Sequence, residues 1–331
     1  MSRRVGTPPT RFTSARARAM LGHMRALDAC LSDPLPPPPR DLDAVFARLS
    51  ACPIQDSASR AAWLGWSCDR LGFAFVGGYA SALALLAPGG PPRVCLAATE
   101  AGGARPRDIE TRVDLDAHGA VVTGEKTFAT LASKCEQLLV FAWTGERDDA
   151  GHKRLRLVRV PAGARGVAIV DRPALPFAPE IPHATVTFDG VRVGPSDVLE
   201  GDGYARYVKP FRTIEDVHVL AATVGMLLRV GRASGCGPRA LEDLSSVLAS
   251  LRALASADAA SPATHVALAG AFVSFERAVT EHEARLFAGD GAVREMWERD
   301  RPILGVASRA RELRAAAAHR RLEAAVTGAG A

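Results

Sequence analysis

The residues best suited to chemistry stand in two places. Gly124-Glu125-Lys126-Thr127-Phe128-Ala129-Thr130 reads as a turn running into a strand. There, two-residue alternation sets the Phe128 ring and the Thr130 hydroxyl on one face, where both can reach the same ligand. Taken alone, the phrase is better read as a core phenylalanine beside a surface threonine. The second place is Glu215, on the opening stretch of a long helical pattern. A carboxylate that is partly desolvated can act as a general base, because burial lifts its proton affinity toward working pH. The plain alternative is an exposed helix acid paired with Arg212 three residues before it and His218 three after. The following Asp216 points about 100° away around a helix. It need not share a pocket with Glu215, yet its charge can raise that neighbour's proton affinity.

Six cysteines, at 30, 52, 68, 95, 135 and 236, form no C-x-x-C pair and no zinc-like spacing. They read as buried or free thiols in a reducing compartment, and no metal is expected. The chain has 331 residues, enough for two or three compact units. Apolar residues are 48% and charged residues 23%, which argues against wholesale disorder. The net charge is +5 and the pI about 9.1. The basic residues are almost all arginines scattered along the chain, without a stripe interleaved with aromatics, so a nucleic-acid partner is not expected. The apolar run from Phe73 to Ala87 is short and interrupted by Gly77 and Gly78, so no membrane span is expected. Arg3, Arg4, Arg11, Arg16, Arg18 and Arg25 precede the first acid, as in organellar transit segments. A frayed basic terminus is the better reading, and the cytoplasm is the expected location.

These candidate residues need elements to position them. Met20, Leu21, Met24, Leu27 and Leu31 repeat with helical rhythm until the prolines of 34–39 end it as a stiff connector. Leu42, Val45, Phe46, Leu49, Trp63, Leu64, Trp66 and Leu71 continue the helical pattern. Residues 1–90 are thus expected to be a helical first domain. From Val94, short alternating runs between Gly, Asp and Pro turns predict an antiparallel β barrel or sandwich over 91–203. Helical periodicity returns in 208–232, 240–255, 261–287 and 294–325, an antiparallel bundle over 204–331, with Ser261-Pro262 as an N-cap and first-turn proline. The fold class is α+β: helical domain, β domain, helical bundle.

Three phrases in fixed order make residues 90–310 or so resemble the acyl-CoA dehydrogenase family. Ala98-Thr99-Glu100-Ala101-Gly102-Gly103 resembles the family's flavin loop, with Ala104 and Arg105 where a Ser and Asp would follow. Gly124 to Thr130 is similar to its gly-glu-lys-x-trp-ile-thr phrase, and 186–193 followed by 198–204 is similar to the strand and loop that lead into its bundle. The resemblance implies FAD as cofactor. It puts Thr99 and Gly103 at the flavin loop, with the threonine at the pyrimidine edge, Phe128 packed on the flavin ring, and Thr130 near its N5/O4 edge. Arg105 could stand in for the serine as a phosphate donor.

The same resemblance sets Glu215 on the catalytic glutamate position of the isovaleryl- and long-chain-type members, which use the first bundle helix. The alternative late position reads Ile303-Leu304-Gly305-Val306-Ala307 and has no glutamate. Arg285-Leu286-Phe287-Ala288-Gly289-Asp290-Gly291 resembles the family's glycine loop, where Gly289 and Gly291 would let the backbone approach the adenine diphosphate, often across a subunit boundary. Ala233 to Pro238 departs from the phrase that makes another adenosine contact. The implied activity is α,β-oxidation of an acyl-CoA or other acyl thioester by a homo-oligomer, a dimer or tetramer. Two further readings stay open: a catalytically silent binding or assembly subunit, and a flavin-dependent monooxygenase of the same fold.

Overall fold

The computed structural model describes residues 26–327. The expected first-helix pattern lies partly outside them; residues 26–32 are helical (α1) and give way to the proline run. Two acids then start the next helices by capping: Asp41 accepts from the Ala44 amide at 2.8 Å to open α2 (Leu42–Ala51), and Asp56 accepts from the Ser59 amide at 2.8 Å to open α3 (Ser57–Trp66). Helix α4 (Leu71–Leu86) has no polar face because it is enclosed on nearly all sides.

Among the described residues seven strands follow: β1 (Val94–Ala97), β2 (Arg112–Asp116), β3 (Gly119–Thr130), β4 (Gln137–Arg147), β5 (Lys153–Pro161), β6 (Val167–Asp171) and β7 (His183–Val193). They form one sheet ordered β1-β4-β2-β3-β7-β6, with β5 on β4. Most pairs are antiparallel, as expected. β4, however, runs parallel to both β1 and β2, so the sheet is mixed. Alternation along β4 divides two cores: Leu138, Val140 and Ala142 point into the interior of the curled sheet, while Leu139 and Phe141 join the helical core.

A π-helical turn, Tyr204–Val208, leads into α5 (Lys209–Ser234). This helix is buried along most of its length, and two glycine contacts make that possible. A Cβ on Gly65 would lie 1.8 Å from the Ala222 carbonyl oxygen, and one on Gly225 would lie 1.9 Å from that of Ala62. Backbone therefore meets backbone between α3 and α5. α5 ends at Gly235 in the left-handed region (φ 67°), and α6 (Pro238–Ala255) and α7 (Pro262–Leu286) complete three long helices. Pro262 stands in the first turn of α7 as expected, although the Ser261 side chain makes no capping bond.

The last helical stretch differs from expectation. In place of one helix over 294–325 there is α8 (Gly291–Asp300), a 3-10 segment (Arg301–Gly305) and α9 (Ser308–Thr327). Pro302 removes an amide donor and Gly305 weakens the helix, so the chain turns there. All six cysteines are free, and burial pushes the Cys30 and Cys68 thiols up to about 12. No described helix is long and apolar enough to cross a membrane.

Candidate functional site

The end of β3 is built by a bulge rather than by plain alternation. Its register against β7 shifts between Lys126 and Ala129, and Phe128 takes a φ of 51°. The shift separates side chains that strict pleating would set together. Lys126 turns inward, fully buried, onto the Glu100 carboxylate at 2.6 Å. Phe128 turns outward, is 49% exposed, and carries the Arg172 guanidinium 4.1 Å from its ring centroid. Thr130, back in register opposite His183, has its hydroxyl 3.2 Å from His183 Nδ1. Burial and the nearby Arg172 charge lower the His183 pKa. The neutral imidazole can therefore donate to or accept from the hydroxyl.

Phe128, Thr130 and His183 line a cavity of about 390 Å³. Helix α5 contributes Arg212, Glu215, Asp216 and Val219; Phe75 comes from α4, Phe177 from the β6–β7 connection, and Ile303, Leu304, Val306 and Ala307 from the segment between α8 and α9. The walls are mostly apolar, which suits a hydrocarbon chain or a flat ring. Among the polar residues of the lining, Glu215 is the one placed to act as a base. Its side chain is 20% exposed, it accepts no hydrogen bond among the described residues, and Arg212 Nη1 stands 3.7 Å away. Burial pushes its carboxyl up to about 7; Arg212 opposes that rise, Asp216 adds to it, and Arg314 opposes it.

His218 is not a partner of Glu215. It is fully buried, with Nδ1–H donating to the Ile214 carbonyl at 2.7 Å and Nε2 without a partner. Burial lowers its pKa and keeps it neutral.

Glu215, Phe128 and Thr130 thus share one cavity, and the other predicted site residues lie elsewhere. The Thr99 carbonyl accepts from the Thr127 amide at 2.7 Å, tying the end of β1 to the bulge, but Thr99 is not among the cavity-lining residues. Gly103 closes a tight turn with Glu100 at φ 125°, the two exchanging backbone bonds of 2.9 and 3.0 Å. Gly289 lines a different cavity, of about 320 Å³, with Arg229, Ser234 and Asp290. Gly291 begins α8, whose first amides are taken by the Asp290 carboxylate at 2.9 and 3.4 Å. His183 and Arg172 were not marked by the sequence; they reach the site through strand register with β3 and through contact with the Phe128 ring.

The residues present fit the ring end of a flavin: an exposed aromatic, a hydroxyl and an apolar cavity meet at one place. At the α8 N-terminus, where the resemblance implies a diphosphate contact, the Ala292 and Val293 amides are already taken by Asp290, while Arg105 lines a separate basic cavity of about 580 Å³ with Arg107, Arg147 and Lys153.

No protein-family model and no curated protein matches the chain. Solved structures do. FkbI, described as acting in biosynthesis of the methoxymalonyl extender unit of FK520, is 20% identical, with 92% of this chain and 98% of that one covered and a TM-score of 0.64. PigA in complex with FAD is 14% identical over 87% of this chain and 93% of its own, at a TM-score of 0.56. A Mycobacterium smegmatis protein described as an acyl-CoA dehydrogenase is 17% identical over 94% and 99%, at 0.57. Helical region, curled sheet and helical bundle follow in the same order as the sequence phrases implied, and the chain has the acyl-CoA dehydrogenase fold.

Proposed function

We propose that the chain is an FAD-dependent oxidoreductase that introduces a double bond next to the carbonyl of an acyl thioester, with Glu215 as the base. The observation that carries this reading is the shared cavity: the Glu215 carboxylate lines the same space as the Phe128 ring and the Thr130 hydroxyl. Bound FAD would supply the acceptor for the hydride that leaves the β carbon. Phe128 would hold the ring of the cofactor, and Thr130, braced by His183, would meet its polar edge.

The Glu215 carboxylate takes the proton from the α carbon. With its carboxyl raised to about 7, roughly half of the molecules carry the basic form at neutral pH. The released electron pair forms the new carbon–carbon bond as the β hydrogen departs with its own pair. The apolar walls from Phe75, Val219 and Leu304 keep water from the reacting carbons and raise the basicity of the carboxylate.

Purified protein provides the test. A yellow preparation whose colour bleaches under anaerobic addition of an acyl-CoA supports the proposal, and a yellow preparation untouched by any acyl thioester contradicts it. A second reading, a silent binding or assembly subunit, is favoured by one observation, the Asp290 cap at the α8 N-terminus where the resemblance implies a nucleotide contact. Protein that stays colourless with added FAD selects that reading.

A further inference from the structure

The cavity wall between α8 and α9 is held by a charged cluster that takes no proton in the proposed chemistry. Asp216, the residue after Glu215, is buried, and its two carboxylate oxygens are divided between arginines of α9. Arg311 Nη1 lies 3.1 Å from Oδ1, and Arg314 binds Oδ2. The other Arg311 terminal nitrogen donates to the Leu304 carbonyl at 2.7 Å, and its guanidinium carbon sits 4.0 Å from the centroid of the Phe272 ring. A single carboxylate on α5 therefore grips both α9 and the segment that precedes it.

That segment's other anchors are the Arg301–Glu283 ion pair at 3.2 Å and the half-buried Ile303 and Leu304 on the helical core. Its upstream end is fixed by the fully buried Asp300, whose carboxylate accepts from the Ala178 amide at 2.7 Å and from Arg299 at 2.6 Å. Between Asp300 and α9 lie Pro302 and Gly305, and Ile303, Leu304, Val306 and Ala307 face the cavity. Helix α9 packs along α7 but fully buries one residue among those described, Ala318, so deep apolar burial is a small part of what holds it. Adjacent helix residues project about 100° apart. One stretch of α5 backbone thus aims Glu215 into the cavity and Asp216 at the arginines. The position of the wall and the position of the base are set from the same point.

We propose that Asp216 is a positioning residue: through Arg311 and Arg314 it fixes the Ile303–Ala307 segment as a wall of the cavity that Phe128 also lines, and seats the substrate against Glu215. The seating of an acyl group rests on the function proposed above; the clamp on the wall does not. In that clamp the acid stands on α5 and the cations on α9.

Hydrogen–deuterium exchange on the full chain tests the clamp without turnover. R311Q/R314Q removes both cations. The triple variant D216N/R311Q/R314Q also removes the uncompensated carboxylate, so that one readable variant remains if the first does not fold. Peptides covering 301–327 should exchange about tenfold faster or more in both variants, while peptides of β3 and α5 keep their protection. Unchanged exchange over 301–327, or equal loosening of every region, overturns the proposal.

Steady-state kinetics adds the second arm. Measured well above pH 7, where Glu215 is ionised whatever charge stands beside it, KM for an acyl-CoA should rise about tenfold with kcat within about threefold, since a loosened wall costs seating rather than proton transfer. A fall in kcat at unchanged KM also overturns it. If the unsubstituted protein oxidises no thioester, the proposed function fails, and the exchange result alone decides the clamp.

Discussion

The Lys126 ammonium and the Glu100 carboxylate meet at 2.6 Å inside the protein, and this contact joins the Ala98–Gly103 phrase to the Gly124–Thr130 phrase. Glu100 also accepts the backbone amides of Glu110 and Thr111, at 2.7 and 3.0 Å. The loop after β1 and the bulged strand β3 are thereby tied at one ion pair, next to the residue that displays the Phe128 ring. Burial draws the Lys126 ammonium down to about 8 against the opposing pull of Glu100.

Removing one partner should be costly. K126M leaves a buried carboxylate without its cation and is expected to lose about 3–5 kcal/mol of stability in chemical denaturation. The double variant E100Q/K126M should recover part of that loss. A K126M protein within about 1 kcal/mol of the original contradicts a structural role for the pair.

Glu215 should show the opposite behaviour. An acid whose folded pKa is raised above its unfolded value binds more protons when folded, so stability falls as pH rises between the two values. For Glu215 that window runs from 4.5 to about 7. E215Q removes the penalty. Up to about 3 kcal/mol should be gained above pH 7 and nothing below pH 4 or so. Denaturation curves at both ends of the window check this; an E215Q protein that is less stable at pH 8 is incompatible with a carboxylate whose pKa is raised by partial burial. The acidic limb of the rate profile for thioester oxidation should fall with a midpoint near the same value of about 7.

Phe128 sits at a positive φ that glycine would adopt freely. F128G relieves about 1 kcal/mol of strain and gives up the packing of a half-exposed ring, so net stability should stay within about 1 kcal/mol. Affinity for added FAD should nevertheless drop roughly tenfold, because the ring platform is gone. Titration of the apoprotein with FAD measures it. Undiminished affinity removes Phe128 from the cofactor site.

The close approach of α3 to α5 can be probed far from the cavity. G65A sets a methyl group where the Ala222 carbonyl already lies, so the helices must part. A loss of about 3 kcal/mol is expected, together with reduced thioester oxidation as α5 carries Glu215 out of line. Full stability in G65A contradicts the observed packing.

How much of this was legible in the sequence depends on which interactions are local. The helical, β and helical order followed from hydrophobic period and turn residues. Glu215 and the Phe128–Thr130 pair could be named because their phrases are contiguous. The bulge that turns Lys126 inward and Phe128 outward could not be read, since alternation predicts one face for all three residues. Nor could His183, which reaches Thr130 only through a strand register set more than fifty residues away. The parallel pairing of β1 with β4 is hidden for the same reason. The break between α8 and α9 was marked by Pro302 and Gly305, but the helical rhythm on either side outweighed them.

The placement of Glu215 in one cavity with Phe128 and Thr130 carries the enzymatic reading, and the rate at which an acyl-CoA bleaches the bound flavin under anaerobic conditions tests it most directly. With E215Q, binding of the thioester should persist while bleaching slows about a thousandfold or more. Bleaching at the original rate in E215Q would show that the proton leaves by another route and that Glu215 is not the base.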